Sequence, residues 1–133
     1  NTYINSPRLL SSDLSLLSDE RIKFAGQITG VEGYVESTSI GLMSGLMMYN
    51  KLKMRRQIPP PITTAMGSLI QYITRKDYVK NFQPMNINFG LFENMDISDI
   101  RKKPKKIRDL EKKSRIAQRA ERDLNTWLNS SMI

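Results

Sequence analysis

Phe24-Ala25-Gly26-Gln27-Ile28-Thr29-Gly30-Val31-Glu32-Gly33-Tyr34-Val35-Glu36-Ser37 is the stretch on which the fold turns. Residues 22–26 read as a short, largely apolar strand ending in glycine. Glycines at 26, 30 and 33 then permit tight turns and close approach of a ligand to the backbone. A helix is expected over 35–51, with Leu42, Met43, Leu46, Met47 and Met48 as core-filling side chains. Gly41 and Gly45 lie four apart on one face of it. Each costs a helix roughly 1 kcal/mol against alanine, so close packing of that face on a sheet or second helix is expected. A strand, a glycine turn and a helix start aim backbone N–H groups and the positive helix end at an electron-rich ligand atom. The spacing GxxxGxxG is neither the GxGxxG dinucleotide fingerprint nor a lysine-bearing P-loop, and ordinary turn glycines have the same appearance.

Outward from this stretch, residues 2–4 form a second short β-like run, closed by Asn5-Ser6-Pro7. Leu9, Leu10, Leu14, Leu16 and Leu17, interrupted by Ser and Asp, suggest short helical turns or a packed loop. Pro59-Pro60-Pro61 is a stiff connector into a helix over 63–75, with Thr63 or Thr64 as its N-cap. Residues 82–92 mix three Phe with amides and glycine without periodicity, as an ordered irregular loop does, with its aromatics expected buried and its amides satisfying backbone groups. The longest helical pattern spans 105–129, with Ile107, Leu110, Ala117, Ala120, Leu124, Trp127 and Leu128 as its apolar stripe.

The 133 residues allow one domain with a modest core, and 39% apolar with 26% charged residues is globular composition. Cys and His are both absent, which excludes thiol nucleophiles, disulfides, zinc fingers and imidazole chemistry within the chain. No apolar run is long enough for a membrane span, and Asn1 opens the chain without methionine, as a fragment would. The net charge of +8 is confined to one element: residues 101–122 hold 11 basic and three acidic residues, and the remainder carries ten of each sign. Lys102, Lys103, Lys105, Lys106, Lys112, Lys113, Arg115, Arg119 and Arg122 form either a polyanion-binding surface or a plain solvated face. With so few chemistry-bearing residues, the chain reads as a binding piece rather than a complete enzyme.

The quoted stretch, followed by Gly41-Leu42 and Gly45, resembles a late segment of the TrmFO or Gid folate- and FAD-dependent (uracil-5-)methyltransferases. Asn1-Thr2-Tyr3-Ile4-Asn5-Ser6-Pro7, Pro61-Ile62-Thr63-Thr64-Ala65-Met66-Gly67 and Phe82-Gln83-Pro84-Met85-Asn86-Ile87-Asn88-Phe89-Gly90-Leu91 resemble further blocks in the same order. The GidA or MnmG flavoproteins, which modify the tRNA wobble uridine, share the AGQ-x-x-G-x-x-GY core. They usually have Asn where this chain has Thr29, and they lack the FQPMN-x-NFG block. They are the alternative, beside a non-catalytic basic RNA-binding module.

The resemblance implies a C-terminal fragment of a GidA-like α/β FAD-binding domain, mainly α with short β strands. Residues 1–92 would be the C-terminal part of that domain, and 93–133 a basic helical segment packed on it. It implies methylation of carbon 5 of a uridine in RNA, the T-loop uridine of tRNA or a ribosomal site. Methylenetetrahydrofolate would supply the carbon, FAD would relay it, and NAD(P)H would re-reduce the flavin. The family's GxGxxG segment and two functional cysteines are missing here, so the fragment alone is expected to be inactive. Gly26, Gln27, Ile28, Thr29, Gly30, Gly33 and Tyr34 are the expected flavin-side residues, with Glu32 and Glu36 as candidate acid–base groups. Lys112, Arg115, Arg119 and Arg122 are the expected RNA contacts. The expected partners are RNA, the missing N-terminal part of the same chain and, through the open edges of strand 22–26, a second copy. No membrane contact is expected, and the location is expected to be cytoplasmic.

Overall fold

The computed structural model describes residues 2–131; Asn1, Met132 and Ile133, which end the two expected segments, lie outside the described residues. Helices run over Ser6–Leu9 (α1), Tyr34–Leu52 (α2), Ala65–Thr74 (α3) and Lys105–Ser131 (α4), with single 3-10 turns at Gln27–Thr29, Lys76–Tyr78, Phe89–Leu91 and Ser98–Ile100. Among the described residues the architecture is essentially all-α.

This corrects the expected mainly-α fragment of an α/β domain with short strands at 2–4 and 22–26. The β-type pairing among the described residues consists of isolated bridges: Leu10 with Leu16, Ser15 with Lys23, and Val31 with Met85. A short apolar run becomes a strand only when a neighbour offers a continuous row of partners. Here residues 22–24 meet a tight turn over 11–16 instead. Leu16 N–H donates to Ile22 C=O and Phe24 N–H to Leu14 C=O, at 2.9 and 3.0 Å, and the ladder ends there. Ile4 N–H donates to Ile28 C=O and Ile4 C=O accepts from Ser6 N–H, both at 2.9 Å, with no ladder on either side. With no strand at 22–26, the open edge on which a second copy was expected to pair is not formed.

The turn is held by charge. The Lys23 side chain is only 4% exposed, and its Nζ donates to Asp13 Oδ2 at 2.8 Å and to the Asp13 C=O at 2.5 Å. Ser11 and Ser15 hydroxyls donate to Asp13 Oδ1 from either side. Burial disfavours the Asp13 carboxylate, but Lys23 foremost, then Ser11 and Ser15, outweigh it and hold the group well below the ordinary carboxylate range.

Around this turn the core gathers Leu14, Val31, Ile40, Met43, Met47, Leu69, Ile70, Ile73 and Trp127. The centre is α3, buried at Gly67, Ser68, Leu69, Ile70, Tyr72 and Ile73, so most of its circumference faces protein. Its N-cap is Thr64, whose Oγ1 accepts the Gly67 N–H at 3.0 Å. The proline connector crosses α3 at Gly67, where an added Cβ would sit 1.9 Å from the Pro61 carbonyl oxygen. Only glycine leaves room for that crossing.

Two expectations about helix faces are revised. Gly41 and Gly45 face open space rather than a packed neighbour, and Leu42 beside them is exposed. In α4, Ile107 and Leu110 are exposed and the stripe reaches the core at Ile116 and Trp127. Trp127 Nε1 donates to Ile58 C=O at 3.0 Å, and Thr63 Oγ1 donates to Asp123 Oδ2 at 2.6 Å, so the C-terminal half of α4 is pinned to the proline segment.

Gly67→Ala should lower stability by about 2–3 kcal/mol, the overpacking cost exceeding alanine's helix advantage, as read from urea unfolding midpoints. Because the folded-state pKa of Asp13 is depressed, its contribution is complete above the unfolded value and lost as pH falls through the folded one. Wild-type stability should therefore decline from about pH 4 downward, more steeply than that of Asp13→Asn, which should be less stable at pH 7.

Candidate functional site

The glycine turn is positioned by the irregular segment that follows α3. Met85 N–H donates to Gly30 C=O and Glu32 N–H donates to Met85 C=O, both at 3.0 Å, laying residues 82–87 parallel to 30–33. Phe82 packs its ring on Gly30, against Tyr72 at 5.4 Å between ring centroids and Tyr3 at 6.1 Å. Tyr72 donates its hydroxyl to Gln83 C=O at 2.6 Å. Asn86 Nδ2 donates to Glu32 C=O at 2.8 Å, and Ile87 N–H donates to Glu36 Oε1 at 3.2 Å. Glu36 is buried in the first turn of α2, so its carboxylate serves the backbone and the helix end together. Its role in this structure is a tie between two segments.

At the mouth of the turn stands Gly33, the N-cap of α2, with φ at +104° and no side chain to cap the first-turn N–H groups. An added Cβ would fall 2.3 Å from Glu36 Oε2 and 3.0 Å from Asn86 Nδ2. No side chain caps the first-turn N–H groups, and the Glu36 carboxylate lies beside this exposed helix start. Tyr34, immediately after Gly33, is 94% exposed. Beside Tyr34 lies an apolar concavity of about 400 Å3, walled by Val35, Thr38, Ser39, Leu42 and Met66. Ser39 Oγ is buried in this wall and has no hydrogen-bond partner among the described residues.

The structure thus separates the expected flavin-side residues into two groups. Gln27, Ile28, Gly33 and Tyr34 are exposed and Gly26 is half-buried. Thr29 and Gly30 are interior: Thr29 Oγ1 donates to Gly26 C=O at 2.7 Å, and Thr29 C=O accepts from Ser6 Oγ at 2.7 Å. These two shape the turn from within. Sequence reasoning misses Val35 and Leu42 as part of the concavity, because the two glycines mark that face of α2 as buried. The spacing of seven residues between them, in step with Tyr34, is the available signal.

The expected RNA contacts are spread along α4. The Arg115 guanidinium pairs with Asp99 at 2.7 and 2.8 Å and with Glu111 at 3.1 Å, which holds the Asp99 carboxyl below its ordinary value. Arg119 donates to the carbonyls of Asn94 and Glu93 at 3.0 and 2.5 Å. Both therefore clamp the 93–99 loop onto α4. Arg122 is exposed beside Asp123, and Lys112 lines a notch with Lys113 and Phe89. Among the described residues, no group of three His, Cys, Asp or Glu could hold a metal ion, and no helix is long and apolar enough to cross a membrane.

Comparison with known proteins adds family information to this geometry. A family model described as glucose inhibited division protein A matches residues 1–56. Proteins named methylenetetrahydrofolate–tRNA-(uracil-5-)-methyltransferase TrmFO match almost the whole chain. The protein from Azorhizobium caulinodans is 44% identical, over 98% of this chain and 30% of its own length. The one from Magnetococcus marinus is 47% identical over 98% and 28%, and the one from Syntrophus aciditrophicus 49% identical over 96% and 27%. At the level of family, then, the chain matches the TrmFO proteins, and it spans about three-tenths of the length of these curated relatives.

Proposed function

We propose that this chain is the C-terminal part of a folate- and FAD-dependent methyltransferase acting on carbon 5 of a uridine in tRNA, at the T-loop. Residues 1–92 form its flavin-side segment, and residues 93–133 the basic helical segment. The observation that carries the reading is the glycine-capped N-terminus of α2, with no side-chain cap, beside exposed Tyr34 and an apolar concavity. The activity for which the relatives are named supports it.

The residues present fit an isoalloxazine ring. A flavin gathers charge near N1 and O2 on reduction, which suits the first-turn N–H groups of α2. Gly33 lets a ring approach the backbone, Gly26, Gln27 and Ile28 offer the rim, and Tyr34 presents a face for stacking on flavin or folate. Thr29 and Gly30 hold the curvature of the turn. When bound, FAD supplies the redox chemistry that draws the one-carbon group from methylenetetrahydrofolate, with NAD(P)H as reductant. The remainder of the enzyme supplies the cysteine chemistry and most of the cofactor's anchoring surface, and it covers the glycine-bearing face of α2. Along α4, Lys112 and Arg122 contact RNA phosphates, while Arg115 and Arg119 add positive potential and keep the 93–99 loop in register.

The isolated 133-residue chain should be colourless and inactive. In the full-length enzyme, Gly33→Ala should lower the flavin absorbance of the purified protein, whereas stoichiometric flavin in that variant would overturn the assignment. Lys112→Glu with Arg122→Glu should weaken tRNA binding and reduce its salt dependence by about one log-log unit for each phosphate no longer neutralised, with flavin content unchanged. Unchanged tRNA affinity at low salt would remove α4 from the interface.

A further inference from the structure

Phe89 occupies an unusual place for a phenylalanine. It opens the 3-10 turn Phe89–Leu91 and is 44% exposed, whereas the other three phenylalanines are half-buried. The turn is rigidly built: Asn88 Oδ1 accepts the Gly90 N–H at 2.9 Å, and Asn88 Nδ2 donates to Asn86 C=O at 3.1 Å. Phe92 backs the ring at 6.0 Å between centroids, with the planes 34° apart. Lys113 Nζ stands over the ring, 5.6 Å from its centroid. Lys112, Asp109 and Gly90 complete the rim of a notch of about 250 Å3 floored by Ile116.

Along the sequence, aromatic residues are not interleaved with the basic ones, which argues against base contacts at this helix. The fold reverses that separation by carrying Phe89 across to α4. A half-exposed aromatic ring, a lysine ammonium over it that a base would displace, and a second lysine lining the same notch are components of a base-stacking site on single-stranded nucleic acid. The two lysines match the phosphates flanking a stacked base, and Asp109 supplies an acceptor for an exocyclic amine. We propose that the Phe89–Lys112–Lys113 notch holds one unpaired base of the RNA, stacked on the Phe89 ring. The proposal rests on the RNA reading above and adds to it a contact with a base rather than with phosphate.

The test uses the intact protein and two probes: a short single-stranded RNA carrying one 2-aminopurine, and a folded tRNA transcript. Wild-type protein should bind the oligonucleotide and quench its fluorescence. Phe89→Leu, which keeps an apolar group against Phe92, should lose roughly 5- to 100-fold in affinity together with the quenching. Phe89→Trp should restore both. Lys113→Met, at an exposed position, should reduce the salt dependence by about one log-log unit while quenching at saturation persists. Wild-type affinity and quenching in Phe89→Leu would overturn the notch and leave the RNA reading standing. So would binding of tRNA without binding of the oligonucleotide. Binding of neither probe would overturn both.

Discussion

The pairing of residues 82–87 with residues 30–36 is the constraint on which the remainder of the structure depends. Its backbone bonds are few, Met85 with Gly30 and with Glu32, and side chains anchor each end, among them the Glu36 carboxylate accepting from Ile87 N–H. Phe82 sits on Gly30 and is gripped by Tyr72 from α3 and Tyr3 from the N-terminal run. The pairing therefore joins the chain's N-terminal third, the central helix and the irregular segment into one body. It also sets where α2 starts, because Glu36 in the first helical turn is held by the same segment. Loosening it would cost more than the hydrogen bonds themselves, since a buried carboxylate would be left unpaired.

Function follows from what this constraint leaves uncovered. A helix end capped by glycine is normally satisfied by a neighbouring side chain, by water or by a ligand. Here the chain has directed its amide and carboxylate side chains beneath the turn, and it places an exposed tyrosine and an apolar hollow above. The same economy governs α4. Arg115 and Arg119 are committed to Asp99 and to the loop carbonyls at Glu93 and Asn94, so the helix holds the loop that follows Phe89 and Phe92. Arg122 pairs with Asp123 and Lys113 stands over the Phe89 ring, and both side chains remain exposed beside the lysines at the start of α4.

Much of this is legible in the sequence, for reasons that differ by element. Three-and-four spacing locates α2, α3 and α4 to within a residue or two, because each buries a stripe or more of its surface. The 82–92 stretch is legible as ordered but irregular, since its amides need backbone partners. The expected strands at 2–4 and 22–26 do not form, because a short apolar run has the same composition whether it pairs in a ladder or in single bridges. Gly41 and Gly45 signal close packing, yet among the described residues nothing stands within 4 Å of a Cβ added at either position. Ile116 escapes notice as a core residue because Ala117 and Ala120 complete a plausible stripe; the true register follows from Trp127 anchoring to Ile58. Around the turn, the helix start at Gly33-Tyr34 is legible from the sequence alone. The Phe89–Lys113 contact, joining segments far apart in sequence, is not.

The central proposal is that the first turn of α2 faces a bound flavin in the full-length protein. Hydrogen–deuterium exchange of the full-length protein, stripped of FAD and then reloaded, measures this at the amides of Tyr34, Val35 and Glu36. The account predicts fast exchange at these amides without FAD and marked slowing on its addition, with the interior amides of α2 unchanged. Slow exchange in both states, or fast exchange in both, would contradict it.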